Sequence, residues 1–174
     1  FHYVDLRTFC YETEHLTRVE RALRAFLPDE FEVTRAESEG HHGDRIVVLS
    51  ARVENADGVR HVLGRLAALP EFERILDELD ERVTDNTELF LRLDKQAALR
   101  GDVRRGDGIT LRAKVEAYPA TKEAAVENAR AALARAATLP DRGAGASTAR
   151  PSAPGGRAGR RTAPASGMWR FPRA

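Results

Sequence analysis

Three short runs of the chain set aromatic and basic side chains at alternate positions. "HYVDLRTFCY" carries Tyr3, Arg7, Phe9 and Tyr11 on one parity, "ELFLRLD" carries Phe90 and Arg92, and "ITLRAKVEAY" carries Arg112, Lys114 and Tyr118. Alternation is the side-chain period of a β-strand, so each run would turn these residues to one face of a sheet. Rings beside guanidinium and ammonium groups suit single-stranded RNA, whose bases stack on flat surfaces while cations hold its phosphates. Tyr3, Phe9 and Phe90 are the candidate stacking rings. The same pattern also fits rings packed in a core or subunit interface beside solvated charges.

Between the second and third runs lies a connection, Lys95 to Gly108, longer than a hairpin needs. It carries Lys95, Arg100, Arg104 and Arg105. Long ordered connections are often functional, so the expected role is a phosphate-gripping arm; the alternative is a cover for the sheet edge whose charges sit in water. His41 and His42 in "GHHGD" lack a third His or Cys at ligand spacing, so no closed metal site is expected. A turn hydrogen bond or a contact to phosphate or base suits them better. Glu37, Glu39, Asp44, Asp94 and Asp107 flank strand ends, which is a weak pointer to a metal-dependent nuclease because such sites need carboxylates converging from several elements. Ser50 and Cys10 lie within strand runs with no signature of a base or oxyanion hole, and no Walker loop, GxGxxG or HExxH occurs. The expectation is a non-enzymatic protein without cofactor.

Composition divides the 174 residues in two. The segment after Pro140 holds seven Arg against one Asp among Gly, Ala, Pro and Ser, leaving 21 basic and 26 acidic residues before it. The body is thus formally −5 and the tail +6, so any nucleic-acid site on the body must be a local patch. The expected division is a folded domain over residues 1–138 and a disordered basic tail over 139–174, which lacks the apolar surface to offset chain entropy. Cys10 is the only cysteine, and no apolar run approaches a bilayer span or a signal peptide, so a cytoplasmic setting without membrane contact is expected.

Periodicity supplies the scaffold. Strands are expected at 2–11, 31–37, 45–54, 88–94 and 109–118. Helices are expected after a Thr13 cap to Pro28, after an Asn55 cap, from Pro70 to "TDN" at 84–86, and from Thr121. The order β-α-β-β-α-α-β-β-α, with short connections between paired strands, predicts an α+β two-layer sandwich: a mostly antiparallel sheet with helices on one face.

"YVDLRTFCYETE", "AESEGHHGDRIVVLSARVE", "TDNTELFLRLDKQAALRG" and "GDGITLRAKVEAYP" resemble the archaeal family of predicted exosome subunits and RNA-binding domain proteins over roughly residues 1 to 135. The resemblance implies a fold similar to the large-subunit ribosomal protein that binds 5S ribosomal RNA, and an RNA-related role beside the exosome or ribonuclease P. The matching positions are Arg7, the "GHHGDR" turn with His41, His42 and Arg45, and the "LDKQAALRG" block with Asp94, Lys95, Gln96 and Arg100. The tail departs from the family from about Leu139 and is either a basic arm or the product of a shifted reading frame. The function expected is RNA binding through Arg7, His41, His42, Arg45 and Arg92, the four basic residues of the excursion, Arg112 and Lys114. A protein-interaction adaptor of an RNA-processing complex is the alternative.

Overall fold

Alternating burial in β1 (Tyr3–Cys10) sets the architecture: Val4, Leu6, Thr8 and Cys10 are buried, while Tyr3, Asp5, Arg7 and Phe9 are partly exposed. A strand with one buried face needs a covering layer on that face only. The computed structural model describes residues 1–40 and 44–138 and supplies that layer. The elements after β1 are α1 (Leu16–Arg24), β2 (Thr34–Glu39), β3 (Arg45–Val53), α2 (Ala56–Ala67), α3 (Phe72–Asp77), α4 (Leu79–Arg82), β4 (Glu88–Asp94), α5 (Lys95–Leu99), β5 (Gly108–Lys114) and α6 (Lys122–Thr138). The strands form one five-stranded sheet in the order β2-β3-β1-β5-β4, every neighbouring pair antiparallel. The α+β sandwich expected from the periodicity is the observed fold.

The core lies between the inner face of the sheet and the helices. β1 contributes Val4 and Leu6, β3 Leu49 and Val53, β4 Leu89 and Leu91, and β5 Ile109 and Leu111. α2 covers them with Val59, Val62, Leu63 and Leu66, and α6 adds Ala125, Ala129 and Leu133, but its close neighbours are α2 and α4 rather than the sheet that its small side chains are expected to approach. Thr8 is the polar exception on this face; its hydroxyl donates to the Gly108 carbonyl at 2.6 Å, which meets the requirement that a buried polar group be bonded.

Four local expectations shift. The first helix begins at Leu16 with no side-chain cap, because Glu14 closes a turn by accepting from the Tyr11 N–H at 3.1 Å and leaves Thr13 outside the helix. Strand two starts at Thr34 rather than Phe31: Phe31 and Val33 pack on the core from an irregular segment, so their apolar alternation marked an anchor and not a strand. The third helix breaks into α3 and α4 at Glu78, whose carboxylate binds arginines on both sides of the break and a third from the excursion. Strand five stops at Lys114, which pairs with Tyr3 and Glu88, the first residues of both neighbours, so beyond it no strand remains to pair. The cap at Asn55 is as expected, its side chain accepting from the Gly58 N–H at 2.6 Å. Residues 139–174, where a disordered tail is expected, lie outside the described residues.

Candidate nucleic-acid interface

Register decides which side chains meet on the helix-free face. Phe90, Arg112, Asp5 and Arg52 lie in one row across β4, β5, β1 and β3, and Arg92, Thr110, Arg7 and Ser50 form the next. Glu88, Lys114 and Tyr3 form a third row at one end, while Phe9 faces Val48 and Ala36 at the other. In these three rows Arg7, Arg52, Arg92, Arg112 and Lys114 outnumber Asp5 and Glu88, while Glu54, Asp94 and Asp107 lie at their margins.

The rings do not stand bare. The Arg52 guanidinium lies over Tyr3 at 3.8 Å from the ring centroid, the Arg7 guanidinium over Phe9 at 5.0 Å, and Phe90 is the direct cross-strand neighbour of Arg112. Such cation–π contacts hold the guanidinium groups beside the rings. A base can then stack on the guanidinium plane or take its place on the ring, and both are recurrent modes of RNA contact. Arg112 is also tied to Glu88, and the Lys114 ammonium to the Asn86 carbonyl. Arg52 is a residue that sequence reasoning missed. Its signal was present in the alternation Val48, Ser50, Arg52 opposite Val47, Leu49 and Ala51, but the apolar neighbours Ile46 and Val48 made that parity read as a second buried face.

The excursion from Lys95 to Gly108 lies against the fold and does not project from it. Asp94 caps α5 by accepting from the Ala97 N–H at 2.8 Å, and Ala97 and Ala98 are buried. The chain then returns along the outer edge of β4: the Asp94 N–H donates to the Arg104 carbonyl at 2.9 Å, the Gly106 N–H to the Arg92 carbonyl at 3.3 Å, and Leu93 bridges to Arg105. A Cβ on Gly106 would meet Asp94 Cβ at 2.5 Å, so only glycine lets the strand and the returning chain approach this closely. The excursion thus closes part of an edge that would otherwise offer unpaired backbone groups.

This geometry sorts the predicted site residues. Tyr3, Arg7, Phe9, Phe90, Arg92, Arg112 and Lys114 share the open face, and alternation from the Leu93–Arg105 bridge sets Arg104 on the same side as Arg92. Lys95 is buried and bonded to Glu14 and the Phe9 carbonyl, so it has no reach to a ligand. Arg105 turns to the helix layer, where it pairs with Glu78 at 3.2 Å. Arg100 ends α5, which packs on α1, and Arg45 shares the parity of Val47 and pairs with Glu37, so neither joins the open face. His41 and His42 lie outside the described residues. Tyr11 and Tyr118 are exposed beyond the strand ends. Among the described residues no group of three His, Cys, Asp or Glu is placed to hold a metal ion. Burial and the Glu14 carboxylate push the Cys10 thiol up, which disfavours a thiolate there.

Asp5 sits among these cations yet its carboxyl lies above its ordinary 3.8, because burial outweighs the attraction of Arg52 and Arg112. Between the ordinary and the raised value the folded chain holds more protons than the unfolded one, so this group makes stability fall as pH rises through that window. At neutral pH the folded state bears the whole cost. Asp5→Asn is therefore expected to be more stable than the parent near pH 7 and to lose that segment of pH dependence, as read by urea unfolding from about pH 4 to 7. No gain near pH 7 would show that Arg52 and Arg112 outweigh burial.

An RNA-binding protein of Pyrococcus abyssi is 33% identical over 142 residues, covering 74% of this chain and 91% of that protein. The crystal structure of an Archaeoglobus fulgidus protein of the DUF54 family superposes with a TM-score of 0.68 at 28% identity, covering 75% of this chain and 98% of the other. A DUF54 protein from Methanothermobacter thermautotrophicus gives a TM-score of 0.65 at 41% identity, covering 76% and 97%. A family model described as RNA binding matches residues 3–115, which hold all five strands of the sheet and the excursion, and the chain belongs to that family.

Proposed function

We propose that the protein binds single-stranded RNA on the helix-free face of its sheet, without catalysis and in the cytoplasm, with Arg7, Arg52, Arg92, Arg104, Arg112 and Lys114 engaging phosphates and Tyr3, Phe9 and Phe90 offering stacking planes. The observation that carries this is the gathering of cations and rings on one face of an otherwise acidic body. Membership of an RNA-binding family supports it, as does the Pyrococcus abyssi relative. A role beside the exosome or ribonuclease P belongs to the same proposal and rests on the resemblance of the four sequence blocks. An adaptor would need a broad dry apolar patch. The exposed large hydrophobics among the described residues are Tyr11 and Tyr118, which does not favour that reading. Among the described residues no helix is long and apolar enough to cross a membrane.

The test is the salt dependence of binding to an unstructured RNA. Each single-strand phosphate contact contributes a slope of about −0.7 to log K against log salt, so engagement of four to six of these cations predicts a slope of roughly −2.8 to −4.2. A slope near zero, or binding to duplex as tight as to the single strand, would remove the reading.

A further inference from the structure

The two edges of the sheet are finished differently. Along β4 the Thr84 N–H donates to the Glu88 carbonyl at 2.9 Å, the Gly106 N–H reaches the Arg92 carbonyl, and Val83 and Arg105 bridge to Leu89 and Leu93, so flanking chain covers both ends of that edge. At the opposite edge β2 pairs with β3 on one side, and among the described residues no strand lies on the other. All six residues of β2 are exposed.

Register shows which backbone groups reach that edge. Glu39 faces Arg45, and the Gly40 N–H donates to the Asp44 carbonyl at 2.8 Å. Hydrogen-bonded and non-hydrogen-bonded pairs alternate along an antiparallel ladder, so Thr34, Ala36 and Ser38 bond to β3 while Arg35, Glu37 and Glu39 turn their N–H and C=O groups outward. Such a row is a template for a further strand, and its side chains select which strand fits. A strand pairs with its own copy about a two-fold axis only where the axis passes through a residue, because opposed residues must share one parity. On Arg35, Glu37 or Glu39 the axis sets like charges face to face, on Ser38 it opposes Glu37 to Glu39, and on Thr34 it leaves most of the strand unpaired. On Ala36 it opposes Arg35 to Glu37 twice and Thr34 to Ser38 twice.

In that register Arg35 and Glu37 of the two copies form a square in which each charge has neighbours of opposite sign. Arg35 is held by Glu20 of α1 and Glu37 by Arg45, so the square extends existing ion pairs and breaks none. Opposite charges directly across a strand pair are favourable, and like charges there are not. On the helix-free side Ala36 continues the row of Phe9 and Val48, and Thr34 and Ser38 are uncharged, so nothing on that side opposes the pairing. We propose that β2 pairs with β2 of a second copy, antiparallel and centred on Ala36, joining two five-stranded sheets into one. The axis stands normal to the sheet, so both helix-free faces turn to the same side. One short strand pair is a small interface, and the dimer is expected to dissociate in the micromolar range.

The test is sedimentation velocity of the full chain from about 1 to 200 µM, without RNA, so that its outcome does not depend on the RNA reading. The parent is expected to pass from monomer to dimer across that range. Arg35→Glu makes the square all negative and Glu37→Arg makes it all positive, and each variant alone should weaken the dimer at least about tenfold, as two opposed pairs change from attraction to repulsion. Mixed in equal amounts, the two variants set a negative strand against a positive one. The mixture should dimerise as tightly as the parent, a recovery that also shows both variants to be folded. Glu37→Pro removes an outward N–H and no bond to β3, as an edge strand tolerates, and should leave a monomer with the parental circular dichroism spectrum. A parent that stays monomeric throughout would overturn the proposal and leave the edge to a strand of another protein. A dimer that survives Glu37→Pro, or a mixture that associates no more tightly than its separate components, would place the contact elsewhere and overturn it equally.

Discussion

Replacing Arg52, Arg92 and Lys114 together by glutamine is expected to weaken binding of single-stranded RNA by about two orders of magnitude and to flatten the slope of log K against log salt by roughly 2, three contacts at about 0.7 each. These positions span the sheet from β3 through β5 to β4, so a strand crossing the face meets all three. Their contacts, ion pairs of Arg52 with Asp5 and Glu54 and of Arg92 with Asp107 and a hydrogen bond from Lys114 to the Asn86 carbonyl, are worth little to the fold. Glutamine also keeps much of the methylene stem that packs on neighbouring side chains. Arg18, Arg60 and Arg130, exposed on helices of the other layer, provide the control. Their triple replacement makes the same change in net charge but should cost less than about threefold, because screening limits exposed charges beyond roughly 10 Å. Equal losses from the two triples would mean that net charge alone governs binding, and the open-face assignment would fail.

The parts of this architecture that the sequence made legible are those governed by period and local chemistry. Alternation in β1, β4 and β5 placed Tyr3, Phe90, Arg92, Arg112 and Lys114 on one face, because a two-residue period leaves no freedom once one parity is apolar. Asn55 marked a helix start because its side-chain oxygen is a short-range partner for the Gly58 N–H. What could not be read depended on contacts far apart in the chain. Lys95 and Glu14 are 81 residues apart, and nothing in "LDKQAALRG" distinguishes an ammonium that will be buried from one that will stay in water. Arg105 is likewise turned to the helix layer by its bridge to Leu93 and by Glu78. Arg52 was hidden for a different reason: β3 is central, apolar side chains occupy both its parities, and only the register with Asp5 shows which end of the strand is polar.

Lys95→Met is expected to destabilise the fold by about 2–4 kcal/mol, equivalent to a fall of roughly 8–15 °C in Tm, while leaving RNA affinity within about twofold wherever the variant remains folded. The Lys95 ammonium donates to the Phe9 carbonyl at 2.9 Å and to the Glu14 carboxylate at 2.7 Å, with the side chain only 11% exposed. It therefore ties the start of α5 to the end of β1 and to the turn before α1. Methionine fills the same volume but donates nothing, so a carboxylate that is itself 22% exposed and a backbone oxygen lose their partner together. The lysine stem runs against Gly108, where a Cβ would meet Lys95 Cβ at 2.7 Å, so glycine is required beside it. Glu14→Gln should cost less, about 1 kcal/mol, since a neutral acceptor remains for the ammonium. The double variant should then lose less than the sum of the single losses, by more than about 1 kcal/mol, as residues sharing one bonded network do. Additive losses would dissolve the pair as a unit. A Lys95→Met protein with parental stability but no RNA binding would reverse the assignment, returning Lys95 from the scaffold to the grip.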